Sequence, residues 1–343
     1  MIKRHTVLLG AGATMAAIPN GDKNGKKSSV MNNLFSELGM DYILKNVDLH
    51  TSSKNLEDIY SELASRPECK DVVQAIEKSL YDYFASLELP DYPTVYDYLI
   101  LSLTGKDVIA TFNWDPLLIQ AYKRCHSYRF STNLPHILCL HGNTDIGYCE
   151  KDVEYGACDA ECPKCHKPFV PTRLLYPVKE KNYSNDPFIR KSWEAVDAAL
   201  NESFMFTVFG YSAPSSDAAA VSLLKKAWGD LDDRSFEEFS VIDLMDSEEV
   251  YQRWKNFIYK SHYTVTNNFF DSYLGKFPRR SCECFFAMKM LNIPMYGNKG
   301  FHPDMTWYDI DDFIYSLTME EICSSDENYP LHYSPMKLSL IHI

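Results

Sequence analysis

No stretch of this 343-residue chain approaches the ~20 consecutive apolar residues that a membrane-spanning helix needs. No membrane partner is therefore expected. Positive charge is also scarce: 34 Lys and Arg against 47 Asp and Glu leave a formal net charge of −13. The densest basic runs, Lys23 to Lys27 and Arg279-Arg280, are short. A surface of this sign repels nucleic acid and anionic membranes, which argues against direct nucleic-acid binding. There is no Walker-type phosphate loop, no visible Ser-His-Asp set and no internal repeat. Nor do the ten cysteines read as a disulfide framework, because they are spread thinly over a long chain and disulfide-dense folds are usually small and secreted. That usage points to a reducing, cytoplasmic setting.

What is present is an ordinary globular composition, 45% hydrophobic and 24% charged, enough for one large core or two modest ones. Thr6-Val7-Leu8-Leu9 is a short apolar run that stops at Gly10-Ala11-Gly12-Ala13-Thr14. With the basic start at Lys3-Arg4 it has two readings, a signal peptide or a first strand entering a glycine turn; the later pattern favours the strand. Three further runs read as buried parallel strands, Val108 to Thr111, Ile137 to Leu140 and Phe204 to Phe209, and a fourth as Phe239 to Leu244. Each ends at polar or glycine residues: Asn113, His141-Gly142, Gly210-Tyr211-Ser212 and Asp243 to Asp246. Pro19 to Ser29 reads as a mobile polar loop. Residues 31–100 read as helical: Leu56, Ile59, Tyr60 and Leu63 share one face, and Val73, Ile76, Leu80 and Phe84 another. The expected class is α/β: a Rossmann-like parallel sheet with helices on both faces, the 31–100 helical insertion, and a helical extension over 271–343.

In open α/β sheets a ligand lies outside the C-terminal ends of the strands, and these strand ends carry the polar residues. The glycines of Gly10-Ala11-Gly12 either make a tight turn or let backbone N–H groups reach a pyrophosphate, with Thr14 adding a hydroxyl. Thr111-Phe112-Asn113-Trp114-Asp115 alternates polar side chains beyond what a capping turn requires. Gly142 beside His141 leaves room for close approach. Cys162-Pro163-Lys164-Cys165 is a knuckle suited to tetrahedral thiolate ligation, with Cys158 and Cys149 supplying two more sulfurs. His166 is an alternative ligand, and a redox pair or buried free thiols an alternative reading.

Taken in order, these pieces resemble the sirtuin family. That family runs through a Gly-Ala-Gly turn with a nearby Ile-Pro, a Thr-x-Asn-x-Asp motif, a His-Gly, a four-cysteine zinc module, a Gly-x-Ser and a late strand near the adenosine. Here these are Gly10 to Gly12 with Ile18-Pro19, Thr111 to Asp115, His141-Gly142, the cysteine knot, Gly210-Tyr211-Ser212 and Val241-Ile242-Asp243. The resemblance spans roughly residues 6 to 245. It departs where deacylases carry Asp-Phe-Arg after Ile-Pro, which here reads Asn20-Gly21-Asp22, and Phe112 replaces their Gln. Where they carry a peptide-pairing Phe-Gly-Glu, this chain has Leu174-Leu175-Tyr176-Pro177, and proline removes a strand donor. The helical insertion before Asn113 looks like the sirtuin-like NAD⁺ hydrolases of bacterial antiphage defence.

The resemblance implies one NAD⁺-binding domain over 1–270, with a zinc module at 144–172, followed by the 271–343 extension. It implies NAD⁺ as substrate, Asn113 holding ribose hydroxyls or a water, and His141 as general base. It implies pyrophosphate held at Gly10, Ala11, Gly12, Ala13 and Thr14, with Asp115 on the nicotinamide side. Gly210 and Ser212 would join the cofactor site, and Asp243 would contact the adenosine ribose. Zn²⁺ on Cys149, Cys158, Cys162 and Cys165 would be structural. It allows for a homo-oligomer or an activating partner protein. Three functions compete: an NAD⁺ glycohydrolase, an NAD⁺-dependent protein deacylase, and a non-catalytic NAD⁺ or ADP-ribose sensor.

Overall fold

The computed structural model describes residues 3–28, 34–126, 133–158, 160–176, 183, 185–214, 217–293 and 300–323. Met1, Ile2, Ser29, Pro177, the start of the helical insertion (31–33) and parts of the C-terminal extension (294–299 and 324–343) lie outside the described residues.

β1 (Arg4–Leu9) runs into α1 (Ala11–Ala17). The insertion follows as α2 (Leu34–Glu37), α3 (Asp41–Leu44), α4 (Leu56–Ala64), α5 (Lys70–Ala85) and α6 (Val95–Leu101). Next come β2 (Val108–Thr111), α7 (Leu117–His126) and β3 (His136–Cys139). A small antiparallel unit is built from β4 (Ile146–Cys149), β5 (Glu154–Ala157) and β6 (Val170–Pro171). The chain then continues through α8 (Pro187–Asn201), β7 (Ser203–Phe209), α9 (Ala218–Trp228), β8 (Glu238–Ile242), α10 (Ser247–Trp254) and β9 (Tyr263–Thr266). It closes with α11 (Tyr273–Lys276), α12 (Ser281–Met290) and α13 (Trp307–Cys323).

The large sheet is parallel, ordered β3-β2-β1-β7-β8-β9. β1, β2 and β8 are buried at every position. A strand buried on both faces has to be covered on both; the apolar stretches Val7 to Leu9, Val108 to Ala110 and Val241-Ile242 sit at this level, while β1 and β8 open on buried polar residues. The core extends beyond the sheet: Leu56, Leu63, Ile76 and Leu80 of the insertion and Leu274, Phe301, Ile310 and Ile314 of the extension belong to one cluster with Val7, Ile109 and Val208.

Three local expectations change. The strand expected to reach Leu244 stops at Ile242, because the Asp243 carboxylate accepts the Met245 N–H in a turn. A sixth strand, β9, adds an edge that the sequence reading did not single out. The polar loop after Pro19 is built rather than loose. Asp22 is buried, and its carboxylate accepts the N–H groups of Asn24 and Lys26 at 2.8 Å and of Glu88 at 3.0 Å.

Candidate functional site

Register lines up one row of residues. Leu9 pairs with Thr111, Thr111 with Cys139, and Leu9 with Phe209. Two residues past those positions stand Ala11, Asn113, His141 and Tyr211. Neighbouring strands lie ~4.8 Å apart, so His141, Asn113, the glycine turn and Tyr211 follow one another along the C-terminal edge. The direction of sheet growth reverses between β1 and β7, the topological switch where an open α/β sheet leaves its crevice.

At that switch the chain packs backbone against backbone. A Cβ on Gly10 would come within 2.6 Å of the Gly210 carbonyl oxygen, and one on Gly12 within 2.8 Å of the Gly210 Cα. Gly210 has φ +62°, and a Cβ there would meet the Ala13 nitrogen at 2.3 Å. The glycines are therefore required by this interlock. It also uses the donors assigned to pyrophosphate: Gly12 N–H donates to Gly210 O at 2.9 Å and Ala13 N–H to Gly10 O at 3.0 Å. Gly142 is likewise explained by the chain itself, since a Cβ there would lie 2.3 Å from the Arg173 carbonyl oxygen.

Asn113, half-buried, sits at the centre of a polar network. Its Nδ2 donates to Gly10 O at 2.8 Å, to Thr14 Oγ1 at 2.9 Å and to Tyr96 OH at 3.2 Å. Thr14 Oγ1 is 2.7 Å from Tyr96 OH and donates to Asp115 Oδ2 at 2.8 Å. Thr14 is thus committed inward rather than offered to a phosphate. Asp115 is buried, and that burial raises its pKa to about 6 despite the Thr14 hydroxyl and the Leu117 N–H bonded to it. It is an internal anchor of the network. Tyr96, which the sequence reading missed, comes from α6 and becomes a site residue only through folding.

The buried His141 ring lies against Phe112, with centroids 4.6 Å apart, and stacks on Tyr183 at 6.0 Å. Its backbone carbonyl accepts the Leu175 N–H at 2.8 Å. Phe112 also packs on Tyr211 at 4.7 Å. The Tyr211 hydroxyl donates to Asp217 at 3.0 Å, and burial raises its pKa. Ser212 is exposed and its carbonyl accepts from Arg253. Asp243, half-buried past the end of β8, stands one strand beyond β7.

The cysteine module is a separate, smaller centre. Ligand atoms of Cys149, Asp152, Cys162 and Cys165 all lie within 4.8 Å of one another. The sulfurs of Cys149 and Cys165 are 3.6 Å apart. Zn–S bonds of ~2.3 Å in a tetrahedron put sulfurs about 3.8 Å apart, so this donor set is consistent with a structural zinc. The cluster differs from the expected set at one place. Cys158 Sγ points to the Thr144 carbonyl oxygen at 3.5 Å, and the Asp152 carboxylate instead lies among the other three sulfurs, 3.3 Å from Cys162 Sγ. β5 carries the chain away from the cluster just before Cys158, which cysteine spacing alone does not reveal.

No protein-family model matches the chain, and no curated protein matches it. Solved structures of Sir2 enzymes are similar at low identity. One, from work on the mechanism and regulation of Sir2 enzymes, is 15% identical, covers 93% of this chain and 94% of its own, and gives a TM-score of 0.38. A Sir2 homologue in complex with NAD is 15% identical over 77% and 83%, with a TM-score of 0.37. A Sir2 bound to an acetylated peptide is 13% identical over 84% and 94%, also at 0.37. Values this low assign neither family nor activity. Among the described residues no helix is long and apolar enough to cross a membrane.

Proposed function

We propose that this chain binds NAD⁺ at the C-terminal edge of the large sheet and hydrolyses its nicotinamide–ribose bond. The observation that carries the reading is the placement of Asn113 and His141 at equivalent positions past two adjacent parallel strands. The Asn113 NH₂ group is fully engaged inside the protein, so its amide oxygen is the end left for a ligand. That oxygen accepts a ribose hydroxyl or a water without adding charge. As the C–N bond breaks, its electron pair leaves on the nicotinamide nitrogen. Water adds to the ribose carbon of the resulting oxocarbenium-like state, and the water's proton passes to His141, imidazole being the side chain that exchanges protons near neutral pH. The products are nicotinamide and ADP-ribose. With Gly12 and Ala13 N–H engaged, the pyrophosphate is assigned to the turn's outer surface near Ala11, and Asp243 to the adenosine side.

The segment after the cysteine module supports hydrolysis over deacylation. Leu175 N–H is bonded to His141 O, the Tyr176 hydroxyl donates to Glu77 O, and the Tyr176 ring packs on Tyr60 and Trp114. Leu175 is thus held by the end of β3 and Tyr176 by the helical insertion, rather than offered to a peptide. An antiphage-defence role, acting as a homo-oligomer or with an activating partner, extends the same reading. Incubation with NAD⁺ and resolution of nicotinamide and ADP-ribose tests it: release without acylated peptide is expected, and strictly peptide-dependent release would replace the hydrolase reading with the deacylase one.

A further inference from the structure

We infer that Tyr96 is a positioning residue that fixes which way the Asn113 amide points; the inference rests on NAD⁺ occupying the site proposed above. Tyr96 is fully buried on α6, and a buried hydroxyl needs a partner. Its partners are two residues of the site, Thr14 Oγ1 at 2.7 Å and Asn113 Nδ2 at 3.2 Å.

Counting protons gives the direction of every bond. The Thr14 hydroxyl donates to Asp115 Oδ2 at 2.8 Å, which commits its single proton. Tyr96, kept protonated by burial, then has to donate to Thr14 Oγ1. One Asn113 N–H goes to Gly10 O and the other to the Thr14 and Tyr96 oxygens. If the amide turned over, its oxygen would face the Gly10 carbonyl and a Thr14 oxygen whose proton is already spent. The Tyr96 hydroxyl, its proton given to Thr14, likewise offers Asn113 only lone pairs, and so adds a further acceptor that holds the amide unturned.

Tyr96 is itself held. Thr94 and Asp97 form a capping box at the start of α6. Arg124 grips Asp97 through Nε at 3.0 Å and Nη2 at 2.5 Å, and lies 4.7 Å over the Trp307 ring of α13. A supporting shell of this kind keeps a functional side chain in its productive geometry.

The test is a double-mutant cycle on the binding of a carbocyclic NAD⁺ analogue, which cannot lose nicotinamide, using wild type, Tyr96→Phe, Asn113→Ala and the double variant. Tyr96→Phe should weaken binding about 5- to 10-fold, the scale of one buried hydrogen bond. It should slow nicotinamide release from NAD⁺ by a similar factor and leave the melting curve cooperative. In the Asn113→Ala background the same change should leave Kd unaltered. Binding by Tyr96→Phe within twofold of wild type overturns the inference. So does a loss that persists in full without Asn113, because a packing defect acts whether or not the amide is there. If the analogue binds but NAD⁺ is never cleaved, with or without acylated peptide, the hydrolase reading fails alone and the cycle still decides Tyr96. If the analogue does not bind, both fail.

Discussion

The two ends of the large sheet both bury polar residues, and they use them in opposite ways. At the N-terminal end, His5 has Nδ1 2.7 Å from Ser281 Oγ and Nε2 2.7 Å from Thr207 Oγ1, while its backbone N–H goes to Asp107. Burial drives its pKa down to about 3, so the ring is neutral. Lys106 beside it is 2% exposed, donates to Lys3 O and Asp107, and faces Glu283 at 3.6 Å. Arg4 donates to Lys106 O and pairs with Glu202. At the C-terminal end, Thr14, Tyr96 and Asp115 satisfy one another so that Asn113 is held by one end only. A cluster of buried charge is thus no sign of function by itself. The informative difference is whether hydrogen-bonding capacity is used up within the chain or aimed outward.

That contrast breaks if substitutions at the two ends behave alike. The largest expected effect is at the outward-aimed end: Asn113→Ala should abolish nicotinamide release while the protein still melts cooperatively, and His141→Ala should slow it by ~10²–10⁴-fold. Loss of folding in either would place them with the structural set. Next, Lys106→Ala strands Asp107 and Glu283 without their cation and should cost about 3–5 kcal/mol in chemical denaturation, with no change in specific activity of the protein that remains folded. A third test extends the contrast to the cysteine module. Asp152→Ala and Cys162→Ser should lower zinc content and thermal stability together, because structural zinc contributes folding energy. Cys158→Ser should retain about one zinc per chain. Equal zinc loss from Cys158→Ser would restore the four-cysteine set.

The smallest effect is a pH dependence. The folded Asp115 has its pKa raised from 3.8 to about 6, so the fold prefers its protonated form. That stabilisation is complete below the unfolded value and disappears as pH rises through about 6. The stability of Asp115→Asn relative to wild type should therefore increase between pH 4 and 7, by roughly 1–3 kcal/mol. A flat difference across that range would mean that Asp115 is not buried as an acid.

Much of the sheet was legible because its strands are short apolar runs closed by glycine or polar residues, and the row from His141 to Tyr211 follows from where those runs stop. The helical faces of α4 and α5 were legible from periodicity: Leu56, Ile59, Tyr60 and Leu63 are buried together, as are Ile76, Leu80 and Phe84. β9 was not, because Tyr-Thr-Val-Thr is short and only half-buried at an edge. Gly10, Gly12 and Gly142 were correctly singled out for close approach, but what approaches is the chain's own backbone. Tyr96 and Asp152 carried no local signal. Tyr96 reaches the end of β2 only because the fold brings α6 there, and Asp152 joins the three sulfurs only through the loop between β4 and β5.

The hydrogen bond between His5 and Ser281 spans 276 residues. β1 lies in the middle of the sheet, and its two neighbours begin only at Val108 and Ser203. A ribosome making roughly 5–20 residues per second takes on the order of 15–60 s between the first strand and the residue that satisfies its histidine. β1 is therefore completed only long after it has been made. Until α12 arrives, the histidine at the centre of the sheet lacks one of its two partners, and a stop codon before Ser281 leaves it so.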